Sequence, residues 1–217
     1  MSDLGAALRY IVEQRGDIWT LFVEHLQITG LALLLALLIA VPLGIALARV
    51  RWLAPPVLGL LSILYTVPSL ALLIILIPFL GLGLKTAVAT LVIYAQVVLV
   101  RNIVVGLHSI NPALLEAATA MGMNGWIRWW RVELPLALPI MLAGVRIAAV
   151  TIIGIAAIAA KISAGGLGTL LFMGIQFDRN DMIWAGALVV GLLAFAVNGA
   201  VLWLERLLDR VPRPPQA

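Results

Sequence analysis

Five long apolar stretches, separated by short segments that hold nearly all of the charged residues, dominate the sequence. Each stretch approaches the roughly 20 apolar residues that a helix needs to cross the hydrocarbon of a membrane. The second contains Pro68 and Pro78, which membrane helices tolerate when neighbouring helices satisfy the freed carbonyl groups. The pattern therefore predicts an all-α integral membrane protein with five transmembrane helices, at residues 26–48, 57–80, 86–107, 137–160 and 182–204.

A further apolar segment, residues 162–177, lies between the fourth and fifth stretches and is short and rich in glycine. Because glycine is among the poorest helix formers, we interpret this segment as a re-entrant or interfacial loop. A sixth transmembrane helix is the alternative interpretation.

The first 24 residues mix apolar and charged positions. Their apolar positions recur at helical spacing, at Leu4, Leu8, Ile11 and Val12. This pattern predicts an amphipathic helix that lies in the membrane interface, and a poorly ordered tail is the alternative. The chain therefore divides into an amphipathic segment 1–24, a transmembrane domain 25–205 and a polar tail 206–217, whose three prolines prevent further helix.

One polar segment within the transmembrane domain, residues 108–135, contains the longest stretch that looks like soluble protein. Asn111 followed by Pro112 predicts the start of a helix, because asparagine caps helix N-termini and proline fits the first helical position. Gly122 and the pair Asn124–Gly125 predict the end of that helix. The residues that follow predict a second short helix, which carries three tryptophans suited to the membrane interface.

Composition and charge support a membrane protein with a defined orientation. Only 11% of the 217 residues are charged, whereas soluble domains carry about 25%. Cysteine is absent, which excludes disulfides and thiol chemistry. Positive residues in short loops mark the cytoplasmic side. If the amino terminus lies outside, most arginines fall inside: Arg49, Arg51, Arg101, Arg128, Arg131, Arg146, Arg206, Arg210 and Arg213. Segment 108–135 and the carboxyl terminus are then cytoplasmic.

Within this segment, an EAA triplet, a glycine and a Leu-Pro pair stand at fixed spacing, at Glu116, Ala117, Ala118, Gly122, Leu134 and Pro135. This spacing resembles the cytoplasmic loop signature of ATP-binding cassette (ABC) importer permeases, with Val132 where isoleucine is usual. The resemblance implies that residues 108–135 form a coupling loop, that these six residues couple it to an ATPase subunit, and that the fold is the type I, methionine-permease-like core.

A narrower resemblance points to one branch of these permeases. Residues 65–71, 101–102, 144–146 and 163–168 are similar to the corresponding segments of osmoprotectant permeases. That branch imports glycine betaine, choline or carnitine, so the resemblance implies such a substrate. A permease for methionine or another amino acid is the alternative within the family.

The resemblance also implies partners and a location. These are ABC ATPase subunits on the cytoplasmic side, a substrate-binding protein on the outer side, and a second permease copy or homologue, all in a bacterial-type cytoplasmic membrane. The basic balance of the chain does not indicate nucleic acid. Gly81 to Thr86 departs from a phosphate-binding loop, because Leu84 precedes Lys85 where glycine is required. We therefore expect a transport subunit with no cofactor and no catalytic residues of its own.

Polar residues inside the spans are candidates for the translocation path: Tyr65, Thr66, Ser69, Tyr94 and Gln96. The alternative for each is a hydrogen bond between helices. The two tyrosines stand out because aromatic faces attract quaternary ammonium groups. Acidic residues are absent from the spans, which disfavours a secondary carrier or channel, the alternative from another class.

Three polar residues have simpler interpretations. His25 and His108 are far apart and lack partners at ligand spacing, so we expect interfacial polar residues and no metal site. Arg146 lies within the fourth span. It is expected to reach the inner surface or to pair with Glu116 or Glu133.

Overall fold

The computed structural model describes residues 3–208, and within them all regular structure is helical. A single turn of π-helix, Trp129–Glu133, and one of 3₁₀-helix, Ala160–Ile162, interrupt the α-helices. The α-helices are α1 Asp3–Glu13, α2 Arg15–Arg49, α3 Ala54–Thr66, α4 Ser69–Leu80, α5 Leu84–His108, α6 Pro112–Ala120, α7 Gly125–Arg128, α8 Leu134–Ala159, α9 Gly168–Gln176 and α10 Asn180–Leu208. Four of these helical segments are long and apolar enough to cross a membrane, and the bent pair α3–α4 makes a fifth.

Helices α2, α5 and α8 form the centre of the fold. Along α2, Ala32, Ala36 and Ala40 are fully buried at one residue per turn, and these small side chains let α5 approach closely. At one end of the bundle, His108 Nε2 lies 3.0 Å from the carbonyl oxygen of Ala48, so the ends of α2 and α5 meet. These two helices are therefore parallel. Helix α8 runs in the opposite direction and packs against both.

The first membrane helix begins earlier than the pattern predicted. Residues 15–24 continue α2 without a break, so the helix that contains the first predicted span starts before residue 26. The physical reason is tertiary packing: Ile18 is buried against Leu170 and Met182, and this contact stabilises the extra turns of helix. The helix predicted near the amino terminus is confirmed only as α1, which packs through Tyr10 against this cluster.

The second predicted span is not one continuous helix. Helices α3 and α4 meet at an angle of 97°, so the stretch predicted at 57–80 is sharply bent at its middle. Pro68 lacks an N–H and forces the residue before it into extended backbone, and Val67 has ψ of 129°. Beyond the bend, Leu73 packs against Ala87 and Ile162, so α4 lies across the ends of α5 and α8.

The other three spans are confirmed with longer ends. Helices α5 and α10 cover their predicted stretches, α8 covers residues 137–159 of the fourth, and α10 continues to Leu208, past the predicted boundary at 205. Residues 209–217 lie outside the described part of the chain, and with them most of the predicted tail, including Arg210, Arg213 and the three prolines. The division into segments 1–24, 25–205 and 206–217 stays a prediction.

The glycine-rich segment is not a sixth span. Helix α9 has nine residues, or about 13.5 Å at 1.5 Å per residue, far short of the roughly 30 Å of hydrocarbon. Before it the chain turns at Gly165 and Gly166, which both have positive φ. The backbone N–H of Gly166 donates to Glu24 Oε2 at 3.0 Å, which fastens the turn to α2. The structure therefore favours a re-entrant or interfacial loop.

His25 lies next to this turn and is fully buried. Its Nε2 lies 3.2 Å from the carbonyl oxygen of Ile153. The expectation of an interfacial residue is therefore wrong for His25, because the helix that carries it extends past it and packs on α8.

Candidate functional site

The first helix of the polar loop begins where the sequence predicted. Asn111 Oδ1 accepts a hydrogen bond from the backbone N–H of Ala113 at 3.0 Å, and Pro112 occupies the first turn. The side chain satisfies one of the donors that a helix start leaves without a partner. Helix α6 therefore has a fixed start outside the membrane bundle.

The end of α6 is a glycine turn. Gly122 has φ of +80°, and its N–H donates to the carbonyl of Thr119 at 2.9 Å, while the N–H of Met123 donates to the carbonyl of Ala118 at 3.2 Å. This pair of bonds is the Schellman motif, which ends helices at a glycine in left-handed conformation. Asn124 Oδ1 then caps the next helix by accepting from Ile127 N–H at 2.9 Å. The predicted break at Gly122 is confirmed.

The second predicted helix is not a separate element. Helix α7 runs through the π-turn directly into α8, so no break occurs before the membrane span. The N–H of Leu134 donates to the carbonyl of Trp129, five residues earlier. Proline cannot donate and crowds the carbonyl four residues before it, and the wider turn ahead of Pro135 absorbs that misfit.

A buried carboxylate ties the loop to the membrane helices. Glu133 is only 7% exposed, and it accepts from Arg128 Nε at 2.9 Å and from Arg49 Nη2 at 3.4 Å. Arg128 also donates from Nη1 to Thr119 Oγ1 at 3.1 Å, and Arg49 lies over the ring of Trp129. The network therefore fixes α6 and α7 relative to the end of α2.

The six predicted coupling residues fall into two groups. Glu116, Ala117 and Gly122 are exposed, and Glu116 borders a shallow groove. The groove is lined by Leu115, Glu116, Thr119, Ala120 and Arg128. Ala118 is buried, and of the two residues that begin α8, Leu134 is half-buried and Pro135 is exposed. Of the six residues, the structure therefore leaves Glu116, Ala117, Gly122 and Pro135 accessible and buries Ala118.

Arg146 does not reach the loop. Its Nε lies 3.9 Å from Glu205 Oε2 in α10, so the expected pairing with Glu116 or Glu133 is wrong. Helix α10 extends past residue 204, which brings a carboxylate to the same level of the bundle.

A second concave surface lies between α3, α5 and α8. It is lined by Ser62, Tyr65, Thr66, Val97, Val98, Arg101, Asn102 and Ile147, and we call it the groove of α3 and α5. The rings of Tyr65 and Tyr94 meet edge to face, with centroids 5.6 Å apart. The hydroxyl of Tyr94 donates to the carbonyl of Val67 at the bend, which anchors the buried ring.

Three of the five predicted path residues do not line the groove: Tyr94 is buried against Tyr65, and Gln96 and Ser69 lie elsewhere. Gln96 is 6% exposed, and its Nε2 donates to the carbonyl of Ala36 in α2 at 3.2 Å. It therefore serves as a hydrogen bond between helices. Ser69 begins α4 on the far side of the bend and does not line the groove.

Two groove residues were missed as path candidates. Arg101 is exposed on the surface of the chain and donates from Nη2 to Ser62 Oγ at 3.0 Å. The charge within an apolar span was the signal for Arg101, whereas Ser62 carried none.

The chain is similar to a described family of transport proteins and to individual members of known function. Residues 40–213 match the family described as binding-protein-dependent transport system inner membrane component. The osmoprotectant import permease protein OsmW of Salmonella typhimurium is 41% identical over 212 residues, covering 95% of this chain and 97% of that protein.

A second relative and a solved structure are also similar to this chain over most of its length. The glycine betaine/carnitine/choline transport system permease protein OpuCB of Bacillus subtilis is 39% identical and covers 84% of each chain. An inward-facing structure of the MetNI methionine ABC transporter superposes with a TM-score of 0.77 at 25% identity, covering 86% of this chain and 94% of that one. These proteins share one helical core.

Proposed function

The chain belongs to the family of binding-protein-dependent transport system inner membrane components, and on this premise we propose that it carries quaternary-amine osmoprotectants such as glycine betaine, choline or carnitine across the membrane. It is a multi-pass permease subunit of an ABC importer, in the osmoprotectant branch. The subunit is not an enzyme: ATP hydrolysis takes place on a separate ATPase, and a substrate-binding protein is the other partner that the family implies.

The observation that carries the substrate proposal is the extent of the likeness to the osmoprotectant permeases. At 41% identity over nearly the full length of both chains, the relative named for osmoprotectant import shares the whole transport core. The exposed face of Tyr65 in the groove supports the same substrate class, because aromatic faces attract quaternary ammonium groups.

The exposed face of α6 is the surface that we assign to the ATPase. Glu116, Ala117 and Gly122 supply a small, accessible surface at the end of the bundle where α2 and α5 finish. The Glu133 network joins that surface to α2 and α8. A displacement of α6 would therefore move these membrane helices with it. Closing of two ATPase subunits would draw two such loops together and switch the access of the path.

A second permease subunit, identical or homologous, completes the path. The groove of α3 and α5 is open on the surface of this chain, so a second chain is needed to enclose it. The amino terminus then lies outside and the carboxyl terminus in the cytoplasm, since the arginine-rich end of the bundle carries the loop.

Uptake by the reconstituted importer tests the proposed substrate. The permease, its ATPase and its binding protein are placed in proteoliposomes, and ATP-dependent uptake of glycine betaine, choline, carnitine and methionine is measured. We expect uptake of at least one quaternary amine and none of methionine. Uptake of methionine alone, which the likeness to the MetNI transporter makes the natural second candidate, would overturn the substrate proposal.

A further inference from the structure

A guanidinium group within α5 has only a neutral partner in the described part of the chain. Arg101 donates to the hydroxyl of Ser62 at 3.0 Å, and no carboxylate among residues 3–208 forms an ion pair with it. Arginine carries five N–H donors, so most of them remain available. An anion from outside the chain would supply the ion pair that Arg101 lacks among these residues.

The groove of α3 and α5 has chemically different ends. Ser62, which binds Arg101, and Tyr65, which meets Tyr94, are one turn apart on α3, or about 4.5 Å of helix rise. Tyr94 and Arg101 are two turns apart on α5, or about 10.5 Å. A positive donor group, Arg101, and one ring of the aromatic pair, Tyr65, therefore line the same groove at positions set by these helix spacings.

The aromatic end is held in place by the bend between α3 and α4. Tyr94 is buried and its hydroxyl is fixed on the carbonyl of Val67, so its ring is a rigid support for Tyr65. Tyr65 is 42% exposed and offers a free face to the groove. A quaternary ammonium group binds such a face without any hydrogen bond, because the attraction is electrostatic.

We propose that this groove binds zwitterions, with Arg101 holding the carboxylate and Tyr65 the quaternary ammonium group. The proposal rests on the proposed function and adds a distinction within it. Glycine betaine and carnitine carry a carboxylate a few bonds from the ammonium nitrogen, and arginine pairs with carboxylates through two parallel hydrogen bonds. Choline carries a hydroxyl in place of the carboxylate, so it gains no ion pair from Arg101.

The test compares zwitterion and cation uptake in the same importer. Arg101→Gln and Arg101→Lys are reconstituted with the ATPase and binding protein, and Arg51→Gln is the matched control because it removes an exposed arginine outside the groove. Loss of a charged hydrogen-bond pair lowers affinity about ten- to a hundredfold. We expect that loss in uptake of glycine betaine and carnitine with Arg101→Gln, a partial recovery with Arg101→Lys, and a change of less than about twofold for choline.

A second variant tests the other end of the groove. Tyr65→Leu removes the aromatic face and is expected to lower uptake of all three substrates, whereas Tyr65→Phe keeps the face and retains uptake. Equal loss of all three substrates with Arg101→Gln, or unchanged zwitterion uptake, would overturn the assignment of Arg101. An importer that delivers only choline overturns it too, and a wild-type importer that takes up none of the three refutes the proposed function itself.

Discussion

Gly168→Ala is expected to abolish the folded importer, although it adds only one methyl group. A Cβ at this position would lie 1.9 Å from the carbonyl oxygen of Ala157 and 2.6 Å from its carbonyl carbon. Both atoms belong to the backbone of α8, so no side-chain rotation relieves the clash. Overpacking costs about 1–3 kcal/mol where side chains can shift, and we expect a larger loss here. The measurement is the yield of monodisperse protein after extraction from the membrane.

The matched control is Gly154→Ala, one turn before Ala157 on the same helix. A Cβ there meets nothing within 4 Å, and alanine is favoured over glycine in a helix by roughly 0.5–1 kcal/mol. We expect normal yield and uptake from this variant. If Gly168→Ala matched it in both, the close crossing of α9 over α8 would be wrong.

Glu133→Gln is expected to uncouple the loop from the membrane helices. The substitution keeps the size of the side chain but removes the charge that accepts from Arg49 and Arg128. A hydrogen bond to a charged group contributes roughly 1.5–3 kcal/mol, and Arg49 is more than half exposed, so we expect a loss of about 2 kcal/mol in stability. Uptake per assembled complex should also fall, by more than the loss of stability alone explains, because α6 and α7 lose their common anchor.

Thermal unfolding and uptake of the same reconstituted sample separate these two effects. Glu13→Gln, an exposed carboxylate in α1, is the control for removing a negative charge. The double variant with Arg128→Gln should lose less than the sum of the single variants, since both break one contact. Additive losses would show that the Glu133–Arg128 pair does not anchor the loop.

The polar loop was predictable because its structure depends on neighbours in the sequence. Asn111 caps a donor two residues away, and Gly122 closes bonds within its own turn. Local rules of capping are sufficient for such features. The buried state of Glu133 was not predictable, because it depends on Arg49 at the end of a distant helix.

The prolines show that local sequence rules do not predict where a helix bends. Pro42, Pro78 and Pro139 lie inside continuous helices, whereas Pro68 accompanies a bend of 97°. The residue type is the same in all four positions. What distinguishes Pro68 is tertiary: the hydroxyl of Tyr94 donates to the carbonyl of Val67, which the bend leaves without a helical partner.

The path residues were only partly predictable for a similar reason. Tyr94 and Gln96 are two positions apart on α5 and therefore point to different sides of the helix. Tyr94 supports the groove, and Gln96 bonds α2. Which side faces α2 depends on the packing of Ala36 and its neighbours. Polarity alone therefore could not separate a path residue from a bond between helices.

A cross-linking measurement tests the central claim, that the exposed face of α6 meets the ATPase. The chain has no cysteine, so Ala120→Cys, beside Glu116 in the shallow groove, introduces its only thiol. A photoreactive maleimide attached there should cross-link the ATPase subunit in the assembled importer. The same reagent at Leu82→Cys, an exposed position at the opposite end of the bundle, should not. Equal cross-linking of the ATPase from both positions, or none from Ala120→Cys, would contradict the account.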